Sequence, residues 1–101
     1  MASRIALQNL LEKLLGSREV YYQSPGNNNM TYPAIKYSKS NFQTTYANDK
    51  KYSNMTRYEI IVIDRLPDNP VINDILDLPY SSFDRHYKAD NLNHDSITLY
   101  W

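Results

Sequence analysis

Five residues in the last fifth of the sequence combine imidazole and carboxylate side chains. They are Asp84, His86, Asp90, His94 and Asp95. Imidazole and carboxylate groups together bind Zn²⁺ or Mn²⁺, and a histidine beside an aspartate forms an acid–base pair. Asp84 and His86 are two residues apart and are predicted to share a strand face. A metal site would require His86 and His94 within a few ångströms of each other across a hairpin.

The same cluster has a structural explanation, because Asp, Asn and His are favoured at hairpin turns for backbone reasons. The sequence favours this explanation, with solvated or interface hydrogen bonds at these positions. Other catalytic motifs are missing: two glycines cannot make a G-x-G-x-x-G motif or a P-loop, and no paired cysteines, nucleophile elbow or H-E-x-x-H occurs. We therefore predict no enzymatic activity, no metal and no cofactor.

A C-terminal hairpin must position the cluster. The first strand is predicted over Ser82–Lys88, with Phe83, Arg85 and Tyr87 on one face and Asp84, His86 and Lys88 on the other. Residues 89–94 are predicted to turn the chain. The second strand is predicted over Asp95–Trp101, with its apolar side chains on one face, namely Ile97, Leu99 and Trp101.

The hairpin follows the most hydrophobic part of the chain. Tyr58–Ile63 is predicted to form a central strand with two apolar faces, as expected where elements cover both sides. A short helix should follow, capped by Asn69 with Pro70 in its first turn, and should stop before Pro79. Its inner stripe is predicted to consist of Val71, Ile72, Ile75 and Leu76.

An N-terminal helix is predicted by leucines at one-face spacing, with a Ser3 cap and Gly16 at its end. The leucines are Leu7, Leu10, Leu11, Leu14 and Leu15. Strands are predicted over Glu19–Ser24, over Met30–Tyr37 (at an edge or with a bulge because of Pro33) and around Phe42–Tyr46. We expect one α+β domain over 1–101, with a mostly antiparallel sheet, an N-terminal helix and a second short helix before a C-terminal hairpin.

Composition indicates that the chain depends on neighbours for burial. A chain of 101 residues without cysteine has a small core, and its ten tyrosines suit half-buried faces and interfaces. Residues 1–60 carry eight Lys/Arg and four Asp/Glu, whereas residues 61–101 carry three and seven. Two opposite surfaces could associate head to tail into a ring, unless the halves interleave in the fold.

Basic and aromatic residues alternate over 36–58, which is a composition typical of single-stranded nucleic-acid surfaces. The balanced total charge and the acidic second half argue against dedicated nucleic-acid binding. Because of the composition of residues 36–58, a small single-stranded nucleic-acid-binding module is kept as the alternative function. Neither a signal peptide nor a membrane span is predicted, and a cytosolic origin is expected.

The chain after residue 20 resembles the small neck and tail-completion proteins of long-tailed bacteriophages, known as tail terminators or minor tail proteins. The resemblance is carried by residues 57–65 (RYEIIVIDR), 67–68 (PD), 75–79 (ILDLP) and 82–95 (SFDRHYKADNLNHD). The YYQSP motif at 21–25 and the YPAI motif at 32–35 are also similar.

The resemblance implies a virion protein that forms a ring of six copies. Such a ring caps the tail tube, stops its growth and joins the tail to the head connector, while DNA passes through the lumen without specific binding. The implied partners are the chain itself, a tail-tube protein and a head–tail connector protein. The implied locations are the virion neck, and the host cytoplasm during assembly. Other neck roles, such as head closure or connector adaptor, remain open.

Two residue sets have roles under this resemblance. The subunit or neck interface is predicted to contain eight residues: Phe83, Asp84, Arg85, His86, Tyr87, Asp90, Asn91 and His94. Arg85 would pair there with a carboxylate. Lys50, Lys51 and Arg57 are predicted to face the lumen or an adjacent ring. Each of these side chains can equally be a solvated surface group.

Overall fold

The computed structural model describes residues 4–23, 31–40 and 56–101. These residues form two helices and five strands: α1 (Arg4–Leu15), β1 (Val20–Tyr22), β2 (Ala34–Lys39), β3 (Arg57–Asp64), α2 (Val71–Leu76), β4 (Ser81–Ala89) and β5 (Leu92–Tyr100). The strands make one sheet in the order β1-β2-β3-β5-β4. The predicted Ser3 cap and the predicted strand around Phe42–Tyr46 lie outside the described residues.

The predicted α+β class is confirmed, but the sheet is mixed rather than mostly antiparallel. β1 pairs with β2 in parallel, whereas the β2–β3, β3–β5 and β4–β5 pairs are antiparallel. Parallel neighbours need a connection that returns the chain to the same end of the sheet. The segment between Tyr22 and Ala34 makes this connection.

Pro33 does not have the predicted effect on the second strand. β2 begins one residue after Pro33, so the missing N–H lies outside the ladder. β2 is also an inner strand, between β1 and β3. Its pairing with β3 runs without a break from Ala34 opposite Ile63 to Lys39 opposite Tyr58.

One face of the sheet carries both helices and the main core. Ile60 of β3 lies between Tyr37 of β2 and Ile97 of β5, and all three side chains are fully buried. Leu7 and Leu11 of α1, and Val71 and Ile75 of α2, complete the same cluster. Leu14, Leu15, Ile72, Leu76 and Trp101 pack against it from the margin. The predicted stripe of α2 and the inward direction of Ile97 and Leu99 are therefore confirmed, as is the stripe of α1 except for Leu10, which does not belong to the cluster.

The second face of β3 is less apolar than predicted. Glu59 is exposed and Ile61 is half-buried, whereas Ile63 is buried opposite His94 of β5. Among the described elements, helices pack on the other face only. We call this second side of the sheet the open face.

The two helix ends follow the predicted chemistry. Gly16 ends α1 with φ of +83°, and its N–H donates to Glu12 O at 2.9 Å. Only glycine adopts this backbone region without a steric penalty. At the start of α2, Asn69 Oδ1 accepts a 2.9 Å hydrogen bond from Val71 N–H, as expected of a capping residue.

Candidate functional site

The strand predicted to form an interface lies at the edge of the sheet. Among the described strands β4 pairs only with β5, and every side chain from Ser82 to His86 is exposed. Phe83 is 46% exposed, so a large apolar side chain of this strand is available for contact. Tyr80, just before the strand, is 41% exposed. The edge therefore presents aromatic groups and charges together, as interface residues commonly do.

A β-bulge in this edge strand changes which side chains share a face. Phe83 lies opposite Ile97, and the next pair is Arg85 opposite Ser96, so Asp84 is the extra residue. Asp84 and Arg85 consequently both lie on the open face, and His86 lies on the helix-bearing face. The predicted alternation of Phe83, Arg85 and Tyr87 on one face is wrong, as is a shared face for Asp84 and His86. Strict alternation fails wherever a strand contains an extra residue.

The bulge places His86 beside Asp95. The two residues are register partners, and His86 Nδ1–H donates to Asp95 Oδ1 at 2.7 Å. The His86 side chain is 40% exposed, whereas that of Asp95 is 9% exposed. The hydrogen bond to Asp95 raises the pKa of His86 above its ordinary value, and partial desolvation opposes this effect. One acid–base pair from the predicted cluster therefore exists.

The second histidine lies on the opposite face of the sheet. His94 is register partner to Tyr87, and their rings stack with centroids 4.8 Å apart. The Arg85 guanidinium lies 4.9 Å from the centroid of Tyr87, which completes a three-layer stack. His94 is 8% exposed, and its Nδ1–H donates to Leu92 O at 3.1 Å. His94 can therefore contribute to an interface only beneath Tyr87.

This geometry excludes the alternative of a metal ion shared by His86 and His94. Residues 86 and 94 project to opposite faces of one sheet, so their imidazoles cannot share an ion. In the described parts of the chain, no group of three or more His, Cys, Asp or Glu residues could hold a metal. Within the chain the Arg85 guanidinium stacks on Tyr87, and its predicted ion pair with a carboxylate at an interface stays a prediction.

The hairpin turn confirms the backbone explanation for Asp90 and Asn91. The turn is narrower than the predicted 89–94 and consists of these two residues between β4 and β5. Their φ angles are +54° and +61°. Asp and Asn tolerate this left-handed conformation better than other non-glycine residues, and two such residues match the twist of a tight hairpin. Both side chains remain exposed for outside contacts.

Arg57 is the one predicted lumen residue that the structure describes. It begins β3 on the open face opposite Tyr100, and its Nε is buried without a hydrogen-bond partner. Its carbonyl accepts from Ser40 N–H at 2.9 Å and from Ser40 Oγ at 3.0 Å. Lys50 and Lys51 lie outside the described residues, so the lumen assignment stays a prediction.

Sequence reasoning missed a polar recess beside Asp95. Six residues from the turn after β3, from α2 and from β5 line it: Pro67, Asp68, Asn69, Ile72, Asn73 and Asp95. Three of the six lie between β3 and α2, where Asn69 was interpreted only as a helix cap. One feature of the sequence could have indicated the recess: Asp95 is a charged residue on the same strand face as the apolar Ile97 and Leu99.

Comparisons of the chain with protein-family models, with curated proteins and with solved structures gave no significant match. The resemblance to phage tail-completion proteins therefore stays a prediction. Within the described residues, no helix has the length and apolar character that crossing a bilayer would need.

Proposed function

We propose that this protein is a structural component of the bacteriophage neck, forming a ring that caps the tail tube, ends its growth and joins the tail to the head connector. The resemblance over residues 57–95 motivates this function. The small α+β domain and the charge difference between the two halves of the chain are consistent with self-association.

One observation supports the proposal most: β4, which carries part of the resemblance, is an edge strand of the described sheet and most of its side chains are exposed. Its Phe83, Arg85 and Tyr87 side chains occupy both faces because of the bulge, so a neighbour can contact either side. An aromatic group beside an arginine stacked on a tyrosine is the composition of interface hot spots.

The bulge also indicates how the edge would be used. An unpaired edge strand invites addition of another strand, and a bulge interrupts the regular ladder that such addition needs. Arg85 and Lys88 on the edge add charge that opposes an incoming strand. We infer that copies join through side chains of β4, with Phe83 inserted into the neighbour.

The test is the mass of the purified protein in solution, measured by light scattering over a range of concentration and salt. A closed species near six subunits, or a monomer that becomes one with a tail-tube protein, supports the ring. A strict monomer that ignores both the tail-tube and connector proteins contradicts it. Steep salt-dependent binding of single-stranded DNA by that monomer would favour the nucleic-acid-binding alternative.

The neck position needs a second measurement. A terminator ring should bind the end of purified tail tubes and stop their elongation, whereas a closure or adaptor protein should bind the connector first. Electron microscopy of tails assembled with and without the protein separates these outcomes, because tubes of uncontrolled length are expected when a terminator is missing.

A further inference from the structure

The polar recess has space for a chemical group. Its volume is about 220 Å³, and it lies between the start of α2 and Asp95 in the first half of β5. Its lining contains two carboxylates, from Asp68 and Asp95, and two amide side chains, from Asn69 and Asn73. None of the described residues that line it is a lysine or an arginine. The recess is therefore much larger than a single water molecule requires and is rich in hydrogen-bond acceptors.

Burial of the Asp95 carboxylate is unfavourable for the stability of the fold. Asp95 is 6% exposed, lies opposite the buried Val62 and continues the inward-facing stripe of Ile97 and Leu99. Burying a carboxylate costs free energy unless it is paired, and a hydrophobic residue would serve packing better. His86 donates to Oδ1 only. Because a carboxylate has about four acceptor positions, Asp95 keeps acceptor capacity toward the recess.

The carboxylate and amide groups that line the recess suit an organic cation better than a metal ion. The described residues contain no cluster of three metal-ligating groups, and the recess is wider than a dehydrated ion needs. Between the two cationic side chains, lysine fits better than arginine. A guanidinium binds best to both oxygens of one carboxylate, and His86 already uses one oxygen of Asp95. An ammonium group is a compact charge with three donors, which can reach Asp95, Asp68 and an amide oxygen separately.

We propose that the recess binds the ammonium group of a lysine from a second copy of this chain. This inference rests on the proposed ring, in which a second copy is always adjacent. Charge complementarity supports the choice of partner, because the recess belongs to the acidic half of the chain and five of its six lysines belong to the basic half, residues 1–60. His86 then has a role at the interface, since it holds the buried carboxylate in place.

The chemistry of the recess can be tested without the ring. Methylammonium is added to the labelled protein at low salt, and the side-chain amide signals of Asn69 and Asn73 are followed by NMR. Saturable shifts are expected with methylammonium and not with tetramethylammonium, which has the charge without N–H donors. Equal shifts with both ions, or no saturable shift with methylammonium, would overturn the proposal.

Two variants and one control locate the binding. Asp95→Asn keeps the shape of the side chain and removes its charge, and we expect methylammonium affinity to fall about ten-fold or more. Asp68→Asn, on the exposed rim, should also weaken methylammonium binding. It replaces Asp95→Asn as the test if that variant does not fold. Asp74→Asn is the matched control, because Asp74 is exposed on α2 and does not line the recess. An equal loss in the control would contradict a site in the recess.

The source of the lysine is tested with a mixture of ¹⁴N and ¹⁵N protein treated with a carbodiimide, which couples a lysine amine to a nearby carboxylate. A mixed-isotope cross-link joining the Asp68 peptide to a lysine is expected. Methylammonium binding with only same-chain cross-links, or with none, overturns the second-copy assignment while the ring is judged by its mass. A ring without methylammonium binding overturns the recess and leaves the proposed function intact.

Discussion

Asp84 accepts a 2.6 Å hydrogen bond from Thr98 Oγ1, although the register partner of Thr98 is Ser82. The contact exists because the β4 ladder skips Asp84 between the Phe83–Ile97 and Arg85–Ser96 pairs. The extra residue turns its carboxylate back along the open face and reverses the facing of all later residues in the strand. His86 meets Asp95 on the helix-bearing face for this reason.

Ile97→Ala should destabilise the domain strongly. Ile97 is fully buried opposite Ile60, and truncation leaves a cavity that costs about 2–5 kcal/mol in the free energy of unfolding. Urea denaturation measures the change. Ile5→Ala is the control, because Ile5 is 56% exposed and a change within about 0.5 kcal/mol is expected. Similar losses in both variants would contradict the assignment of the core to the helix-bearing face.

His86→Gln should change how stability depends on pH. The pKa of His86 is higher in the folded protein than the unfolded value of about 6.5, because protonated His86 donates to Asp95. The wild-type advantage over His86→Gln is therefore fully present below pH 6.5 and is lost as the pH rises through the folded pKa. Urea midpoints of both proteins between pH 5 and 9 test this. A difference that grows with rising pH would refute the sign.

Phe83→Ser should separate association from folding. The side chain is 46% exposed, so its loss is expected to change the free energy of unfolding by less than about 1 kcal/mol. If β4 forms the ring contact, self-association or binding to the tail tube should weaken by about ten-fold or more. Ile5→Ser is the matched control, as an exposed apolar residue on α1. The β4 interface would be untenable if Ile5→Ser impaired association and Phe83→Ser did not.

Gly16→Ala tests the end of α1. No atom lies within 4 Å of the position that a Cβ would occupy, so the expected cost arises from the backbone φ of +83° alone. A left-handed conformation costs a non-glycine residue about 1–2 kcal/mol. Urea denaturation should show a loss of this size. Ser17→Ala, one residue further along at an exposed position, is expected to change stability little.

Local patterns predicted the helices and most of the strands because each rests on near-neighbour spacing. The leucine stripe ending at Gly16 and the Asn69–Pro70 start of α2 depend on residues within a few positions of one another. The parallel pairing of β1 with β2 depends on how the chain returns between Tyr22 and Ala34, and no local pattern in the sequence sets the direction of that pairing. The order of strands likewise depends on long-range contacts that no short pattern contains.

The position of the candidate site in the sequence could be predicted, but the arrangement of its side chains could not. The resemblance implied an interface at residues 83–87, and the structure places this segment in an edge strand of the described sheet. One extra residue at Asp84 then separated His86 from His94 and paired it with Asp95. Period-two reasoning cannot detect such an insertion, since Phe83, Arg85 and Tyr87 alternate plausibly without it. The recess forms where the turn after β3, α2 and β5 meet, so no short stretch of the sequence could predict it.

β5 comes last among the described strands, yet it lies inside the sheet between β3 and β4. Until residues 92–100 are in place, β3 lacks one neighbour and β4 lacks its only described neighbour. A chain stopped before β5 would therefore expose Ile60 and Val62 to water and leave the edge strand detached. Formation of the surface proposed to bind other copies is thus coupled to completion of the fold, so that partly folded chains would be excluded from assembly.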